Sequence, residues 1–557
     1  MPFSFRVTIL ALVLSACGRP PTPDGGVDHD SPLTPIPVHA VLELSFQHQG
    51  TYENPFFDVA LETNFVAPDG RTLARKGFYH SQDRWVVRFR PDQAGEWRYR
   101  YRLFAGAKVL RAGVGEFRTI LSDHSTRPGR IRVNPANPYR WVFDNDRPYF
   151  PLGLQDCVGA QEGRVHKLYV DGEGRNDGAA RQLTAQEYFA LYGQAGFNLL
   201  RFSQRNCSYS IHDDLDHYNI ANSLATDELL QAATANNFRV MFGFFGYHGN
   251  WKTGGATERA LRVLGTKLGL IDESISNTAD ERIVKKEKLF ISYCVARWGV
   301  YADFWQLLNE RKASDNWARV MAAHVQAVDP DGKPVSISWE KAYLPEIAIN
   351  TPHWYESEKE SDSDLRVQEL AANWKKFGKP VLVGEQGNRG MNWDALSATR
   401  MRVRAWTALF QEIGLIFWNT SWSKWGMNQG RYTPDNVANI YLGPEERSYT
   451  TVLQHFSNQL DGNVRIVPVA VSLPESARAY GLASSALTAV YVHHFATHKL
   501  PLAGLQVKTS FPSLARYKWI DPATGSTLGE GRVQPSQDAI PAPPFSVDIA
   551  LLVRSVS

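Results

Sequence analysis

A chain of 557 residues is too long for one ordinary domain and leaves room for three or four, or fewer if one of them is a barrel. An apolar share of 43 % with a charged share of 21 % suits packed cores rather than a disordered chain. A net charge of only +3 supplies no basic field of the kind that nucleic acid or an anionic membrane surface asks of its main partner. Aromatic residues make up 12 %, including 16 tryptophans, which fits either large β-rich cores or flat surfaces that stack on the C–H faces of sugars.

The chain opens "MPFSFRVTILALVLSACGRP". Arg6 precedes an apolar run, Val7 to Leu14, that is too short to span a bilayer but has the layout of a signal sequence. The run ends in "LSAC", which resembles the bacterial lipobox. That resemblance implies cleavage before Cys17 and its lipidation; an ordinary secretory signal cut nearby is the other reading. Either way residues 1–17 are expected to be a signal, and the mature protein to leave the cytoplasm. With Cys17 as a lipid anchor it would face the periplasm or the cell surface. Residues 18–37, rich in Pro, Gly and Asp, read as a disordered tether. Three further cysteines remain, Cys157, Cys207 and Cys294, and an odd count in an oxidising compartment leaves at least one free thiol. Cys294 lies in the helical pattern "LFISYCVARW" and is expected in a core; a Cys157–Cys207 disulfide is left open. There is no C-x-x-C pair and no dense His/Cys cluster, so no metal site is expected.

Residues 38–120 alternate apolar and polar in short runs broken by turn signals such as "PDG" and "QAG", the pattern of a β-sandwich. The stretch "RFRPDQAGEWRYRYRL" resembles the small sandwich domain often found ahead of bacterial glycosidase barrels. Over residues 121–460 the rhythm changes. Eight apolar runs, at 149–155, 198–203, 240–245, 303–309, 334–339, 346–351, 380–385 and 414–419, alternate with helical patterns. Thr184 with Glu187 forms a capping box before one helix, "EKLFISYCVARWG" forms a second and "LSATRMRVRAWTALFQEIG" a third. Eight strands with intervening helices predict a (β/α)₈ TIM barrel, its bottom closed by the hairpin "GRIRVNPANPYRWVFDNDRPYF". Residues 461–557 return to β patterns and read as a second sandwich, so the barrel is expected between an N-terminal and a C-terminal β-sandwich domain.

A barrel of this class builds its site from the C-terminal ends of its strands. "YADFWQLLNERK" ends the fourth run on Asn309 and Glu310, and "PVLVGEQG" ends the seventh on Glu385. Two carboxylates facing one cavity is what glycosidic cleavage needs: one holds a proton for the leaving oxygen, and the other attacks the anomeric carbon or activates water. Asn309–Glu310 with Glu385 match the pattern of clan A glycoside hydrolases, which are retaining enzymes. Within that clan, "YCVARWGVYADFWQLLNE" and "GRIRVNPANPYRWVFDNDRPYFPLG" resemble the apiosidase-like group of bacterial barrels, a likeness that covers the barrel. The resemblance implies Glu310 as acid/base and Glu385 as nucleophile. It also implies that Arg201, closing the second run, keeps the nucleophile ionised, that Asn309 holds a sugar 2-hydroxyl, that His353 or Tyr355 of "NTPHWYE" hydrogen-bonds the nucleophile, and that Trp418 of "IFWN" forms a platform under the sugar ring.

Beside that resemblance, the first run ends "LGLQDC", a departure from the "GDTAW"-like ending of the apiosidase-like group, which places Gln155 and Asp156 at a substrate-contacting position. His248 and Trp251 of "GYHGNW", and Trp422 and Trp425 of "NTSWSKWG", would line subsites or cover the barrel rim. Segment 157–183 is expected to fold over the cleft. No G-x-S-x-G elbow, phosphate-binding loop, H-E-x-x-H helix or G-x-G-x-x-G turn is present, and hydrolysis by paired carboxylates needs no cofactor. The expected partner is a polysaccharide or oligosaccharide, handled by a monomer. The rival readings are a non-catalytic carbohydrate-binding surface lipoprotein and a transglycosylase of the same fold.

Overall fold

The computed structural model describes residues 28–29, 33–121, 129–155, 168–171, 180–204, 211, 217–245, 280–310, 312–338, 341–356, 359–387, 396–417, 442, 444–472, 476–496, 498–508, 514–535, 537 and 539–556. They form two compact units: residues up to 126 together with 292–300, and residues 127–291 together with 301–557.

In the first unit, Gly95–Ala105 and Lys108–Ile120 make a long hairpin; Ala60–Val66 pairs with the first strand and Thr72–Lys76 with Ala60–Val66. Asp28–His29 and Leu33–Pro37 pair in parallel with the second strand, so this part of the expected disordered tether is instead held in the sheet by backbone hydrogen bonds. A second, three-stranded antiparallel sheet joins Leu42–Gln47, Arg84–Phe89 and Phe78–Ser81. The strict alternation of "EWRYRYRL" explains the packing. Trp97, Tyr99, Tyr101 and Leu103 turn inward while Arg98, Arg100 and Arg102 face out, because successive side chains point to opposite sheet faces. The inward set shares one core with Leu44, Phe46, Trp85 and Phe89 of the other sheet.

The second unit holds a closed parallel barrel. Its strands are β1 (Leu152–Gln155), β2 (Leu199–Ser203), β3 (Arg239–Phe245), β4 (Phe304–Leu308), β5 (Val335–Ile337), β6 (Ile349–Asn350 continuing as His353–Tyr355), β7 (Leu382–Gly387) and β8 (Gly414–Phe417). Each pairs with the next in parallel, and β8 returns to β1. The sixth strand is interrupted at Thr351–Pro352: its first piece pairs with β5 and its second with β7. A proline has no N–H for a ladder, which accounts for the break.

Helices follow seven of the strands: α1 (Ala185–Gln194), α2 (Ile220–Ala235), α3 (Glu281–Trp298), α4 (Asp315–Val328), α5 (Ser363–Trp374), α6 (Ser397–Phe410) and α7 (Pro444–Ser457). Thr184 and Glu187 do form the capping box of α1. The fifth repeat differs from the expected pattern. Among the described residues no helix joins β5 to β6, and the ten or so residues available, with Pro345 among them, are too few for a crossover helix.

The antiparallel strands Ile131–Asn134, Asn137–Phe143 and Pro148–Tyr149 lie at the N-terminal ends of the barrel strands. Ile131, Trp141 and Tyr149 from them join Leu199, Met241, Phe304, Ile349, Leu382 and Ile416 in one apolar cluster that fills the lower barrel. Apolar below and polar above is the gradient that makes the upper end a site.

C-terminal to the barrel, a six-stranded sheet and a three-stranded sheet share a core that includes Val490, Val492, Val507, Trp519, Ile540 and Leu551. The first contacts the barrel helices through buried polar groups. Arg402 on α6 pairs with Asp548 at 2.9 Å, which also accepts from Tyr491 Oη. Asp364 on α5 pairs with Arg478 and accepts from Tyr480 Oη.

Candidate active site

β2, β4, β6 and β7 send their polar residues to the same end of the barrel. Parallel pairing puts Gln155 beside Arg201 and His353 beside Glu385 in register. Alternation along β6 turns His353 and Tyr355 toward Glu310 and Glu385. Trp354, between them, lies under the Arg404 guanidinium at 4.6 Å on the other face.

Glu385 is buried. Its Oε1 accepts from Arg201 Nη1 at 2.6 Å, and its Oε2 accepts from the Tyr355 hydroxyl. Burial, and after it the charge and hydrogen bond of Glu385, push the Tyr355 phenol well above its ordinary range, so it stays a proton donor to the carboxylate. Glu310 is more open to solvent, with its side chain 24 % exposed. Its Oε1 lies 2.7 Å from His353 Nδ1, and the same nitrogen lies 3.5 Å from Glu385 Oε2. The imidazole thus stands between the two carboxyls. It fits because Gly384 carries no side chain: a Cβ there would sit 3.0 Å from His353 Nε2.

Glu310 occupies the left-handed backbone region, at φ +47°, which L-residues seldom adopt. Ser338, just beyond β5, pins this turn. Its hydroxyl accepts the Glu310 N–H at 2.5 Å and donates to Leu308 C=O at 2.9 Å. Arg201 is fully buried beneath the carboxyls and held by amides. Gln306 Oε1 accepts from Nε at 3.0 Å and from Nη2 at 2.6 Å, Gln155 Oε1 accepts from Nη1 at 2.5 Å, and Asn309 Oδ1 accepts from Nη2. A guanidinium donates only, so each amide must turn its oxygen toward it. This leaves Gln155 Nε2 and Asn309 Nδ2 buried with no acceptor among the described residues, two amide nitrogens suited to a ligand oxygen.

One ligand atom from each of Glu310, His353 and Glu385 lies within 4.8 Å of the other two, a spacing a cation would accept. Hydrogen bonds already engage all three: His353 Nδ1 with Glu310, and the Tyr355 hydroxyl with Glu385 beside them.

Of the residues singled out in the sequence, Glu310, Glu385, Asn309, Arg201, His353, Tyr355 and Gln155 converge. Of the two candidates, Tyr355 donates to Glu385, while His353 lies closer to Glu310 than to Glu385. Asp156, His248, Trp251, Trp418, Trp422, Trp425, Cys17, Cys157 and Cys207 lie outside the described residues, as does most of segment 157–183. Cys294 is buried and free, its thiol pushed well up by burial. Gln306 and Ser338 were not anticipated. Gln306 had one visible signal, a lone amide inside the apolar strand "FWQLL".

Residues 35–103 match a family described as a domain of unknown function, DUF5060. No curated protein matches the chain. Among solved structures, the chain is similar to a candidate glycoside hydrolase from Bacteroides vulgatus ATCC 8482, with TM-score 0.63 at 17 % identity over 94 % of this chain and 99 % of that one. A family 39 glycoside hydrolase from Bacteroides cellulosilyticus WH2 follows, with TM-score 0.45 at 13 % identity over 92 % and 98 %. An endo-beta-1,4-mannanase from Thermotoga petrophila gives TM-score 0.40 at 12 % identity over 72 % and 99 %. At these identities the first likeness speaks for a shared fold, a barrel with accompanying β-sheets over nearly the whole chain.

Proposed function

We propose that the protein is a retaining glycoside hydrolase, with Glu310 as acid/base and Glu385 as nucleophile. The observation that carries this reading is the approach of the two carboxyls, from the ends of β4 and β7, to within 4.8 Å between oxygens. Retaining enzymes keep their carboxyls about 5–5.5 Å apart, whereas inverting ones need about 6.5–9.5 Å to admit a water between carboxylate and sugar.

The surroundings support this division of roles. Glu385, buried against a guanidinium and a phenol, is suited to attack as the carboxylate. Its Oε2 would form an ester bond to the anomeric carbon as the glycosidic C–O bond breaks, and the Glu310 proton would pass to the departing oxygen. Water would then attack the anomeric carbon, lose its proton to Glu310 and release Glu385. His353 would steady Glu310 through both transfers. The free N–H groups of Asn309 and Gln155 would hold sugar oxygens, with Asn309 at the 2-hydroxyl.

The finer assignments follow the sequence: an apiosidase-like barrel flanked by β-sandwich domains, exported and anchored through lipid on Cys17, working on a scavenged polysaccharide or oligosaccharide. The test is product release from a broad glycan panel read by mass, with Glu385→Gln in parallel. Release with retained anomeric configuration that disappears in the variant is expected. Release that survives in the variant would remove Glu385 as nucleophile, and binding without release from any glycan would favour the carbohydrate-binding alternative.

A further inference from the structure

Arg201 is the one cation in direct contact with Glu385 among the described residues, and Glu385 is its one charged partner. The other groups that touch the guanidinium, Gln155, Gln306 and Asn309, are all neutral amides. Gln306 occupies the side-on edge of the guanidinium, Nε and Nη2, which a carboxylate ordinarily grips with two oxygens. A glutamate has the same size and would bind that edge more strongly. Gln306 is fully buried, so solvent access does not explain the weaker partner, and its Nε2 finds no acceptor among the described residues.

We propose that Gln306 is a positioning residue for the reaction proposed above, fixing the Arg201 guanidinium without sharing its charge so that the charge is committed to Glu385. The inference rests on that functional reading for its meaning but not for its test. Among the described residues, the groups that face Glu385 are Arg201 on β2, His353 and Tyr355 on β6, and Glu310 at the end of β4. With the amide in place, the Arg201 guanidinium faces one carboxylate, Glu385, among the described residues. A glutamate at 306 would add an anion on the far edge of the same guanidinium and oppose ionisation of Glu385.

The experiment uses full-length protein labelled with ¹³C at glutamate side-chain carboxyls, the Glu385 signal being the one lost in Glu385→Gln. In Gln306→Glu the Glu385 signal is expected to titrate roughly one pH unit higher than in the wild type. In Gln306→Met, which frees the guanidinium without adding charge, the displacement should be smaller. If a hydrolysed glycan is in hand, the acid limb of kcat/KM should move upward with the signal in Gln306→Glu. An unmoved Glu385 titration in a folded Gln306→Glu would overturn the proposal. Should that variant fail to fold, a Gln306→Met displacement would support the proposal and an unchanged titration would overturn it. Absence of hydrolysis in the wild type would count against the glycosidase reading alone, since the titration needs no substrate.

Discussion

Tyr355 and Arg201 divide the two oxygens of Glu385 between them, one as a neutral donor and one as a charged one. Removing the phenol hydroxyl leaves the ion pair intact and takes away one donor from a buried carboxylate. Tyr355→Phe should therefore fold normally and lower kcat by about 10²-fold with a smaller change in KM, the usual cost of losing one preorganised donor beside a reacting oxygen. Steady-state kinetics on whichever glycan is cleaved would check this, and an unchanged kcat would remove Tyr355 from the support of the proposed nucleophile. The main residues of this set were legible in the sequence because they close apolar runs: Asn309 and Glu310 after "DFWQLL", Glu385 after "PVLVG", Arg201 in "NLLRFS". Gln306 and Ser338 were not, since an amide or a hydroxyl within a strand looks like any other polar residue until the chain brings an arginine or a turn against it.

Between elements, α3 and α4 meet at a buried carboxyl. Glu287 is 1 % exposed, and its Oε2 accepts from Trp317 Nε1 at 3.0 Å. Burial pushes its pKa up to about 8, with the Trp317 hydrogen bond opposing. The folded protein therefore keeps a proton here that the unfolded chain gives up near pH 4.5. Stability from this group is full below that value and falls as pH rises toward about 8. Glu287→Gln keeps an acceptor for Trp317 and has no proton to lose. Its stability relative to the wild type should rise by on the order of 3 kcal/mol between pH 5 and pH 8. Denaturant unfolding at the two values measures this, and parallel behaviour of the two proteins would contradict it. At this scale the eight strands and the α1 cap are legible in the sequence, whereas the helix that the repeat pattern predicts between β5 and β6 is not found among the described residues. The short β5–β6 connection shows why counting strands does not count helices: a closed barrel needs each strand paired, and a compact turn can deliver the next strand as well as a crossover can.

Across the whole molecule, the β character of both flanks was readable from alternation, as in "EWRYRYRL" and "ALTAVYVHHF". The inclusion of the C-terminal sheets in the same compact unit as the barrel was not. It rests on Arg402–Asp548 and Asp364–Arg478, pairs more than a hundred residues apart, and no local pattern announces such partners. The proposed tether belongs to this scale too. Cys17→Ser should move the protein from the membrane fraction to the soluble exported fraction while leaving its catalytic rate unchanged, and membrane retention of the variant would rule out a lipid anchor at that residue.

The positive φ of Glu310 sets evolution for heat resistance against evolution for turnover. Glycine accepts that conformation freely and asparagine tolerates it, while a longer L-residue gives up on the order of 1–2 kcal/mol to hold it. A mutant library screened only for survival of heating should thus enrich glycine or asparagine at 310. On the proposed acid/base role of Glu310 the winners would be sturdy and inert, and thermal selection would have to be coupled to a catalytic readout at every round.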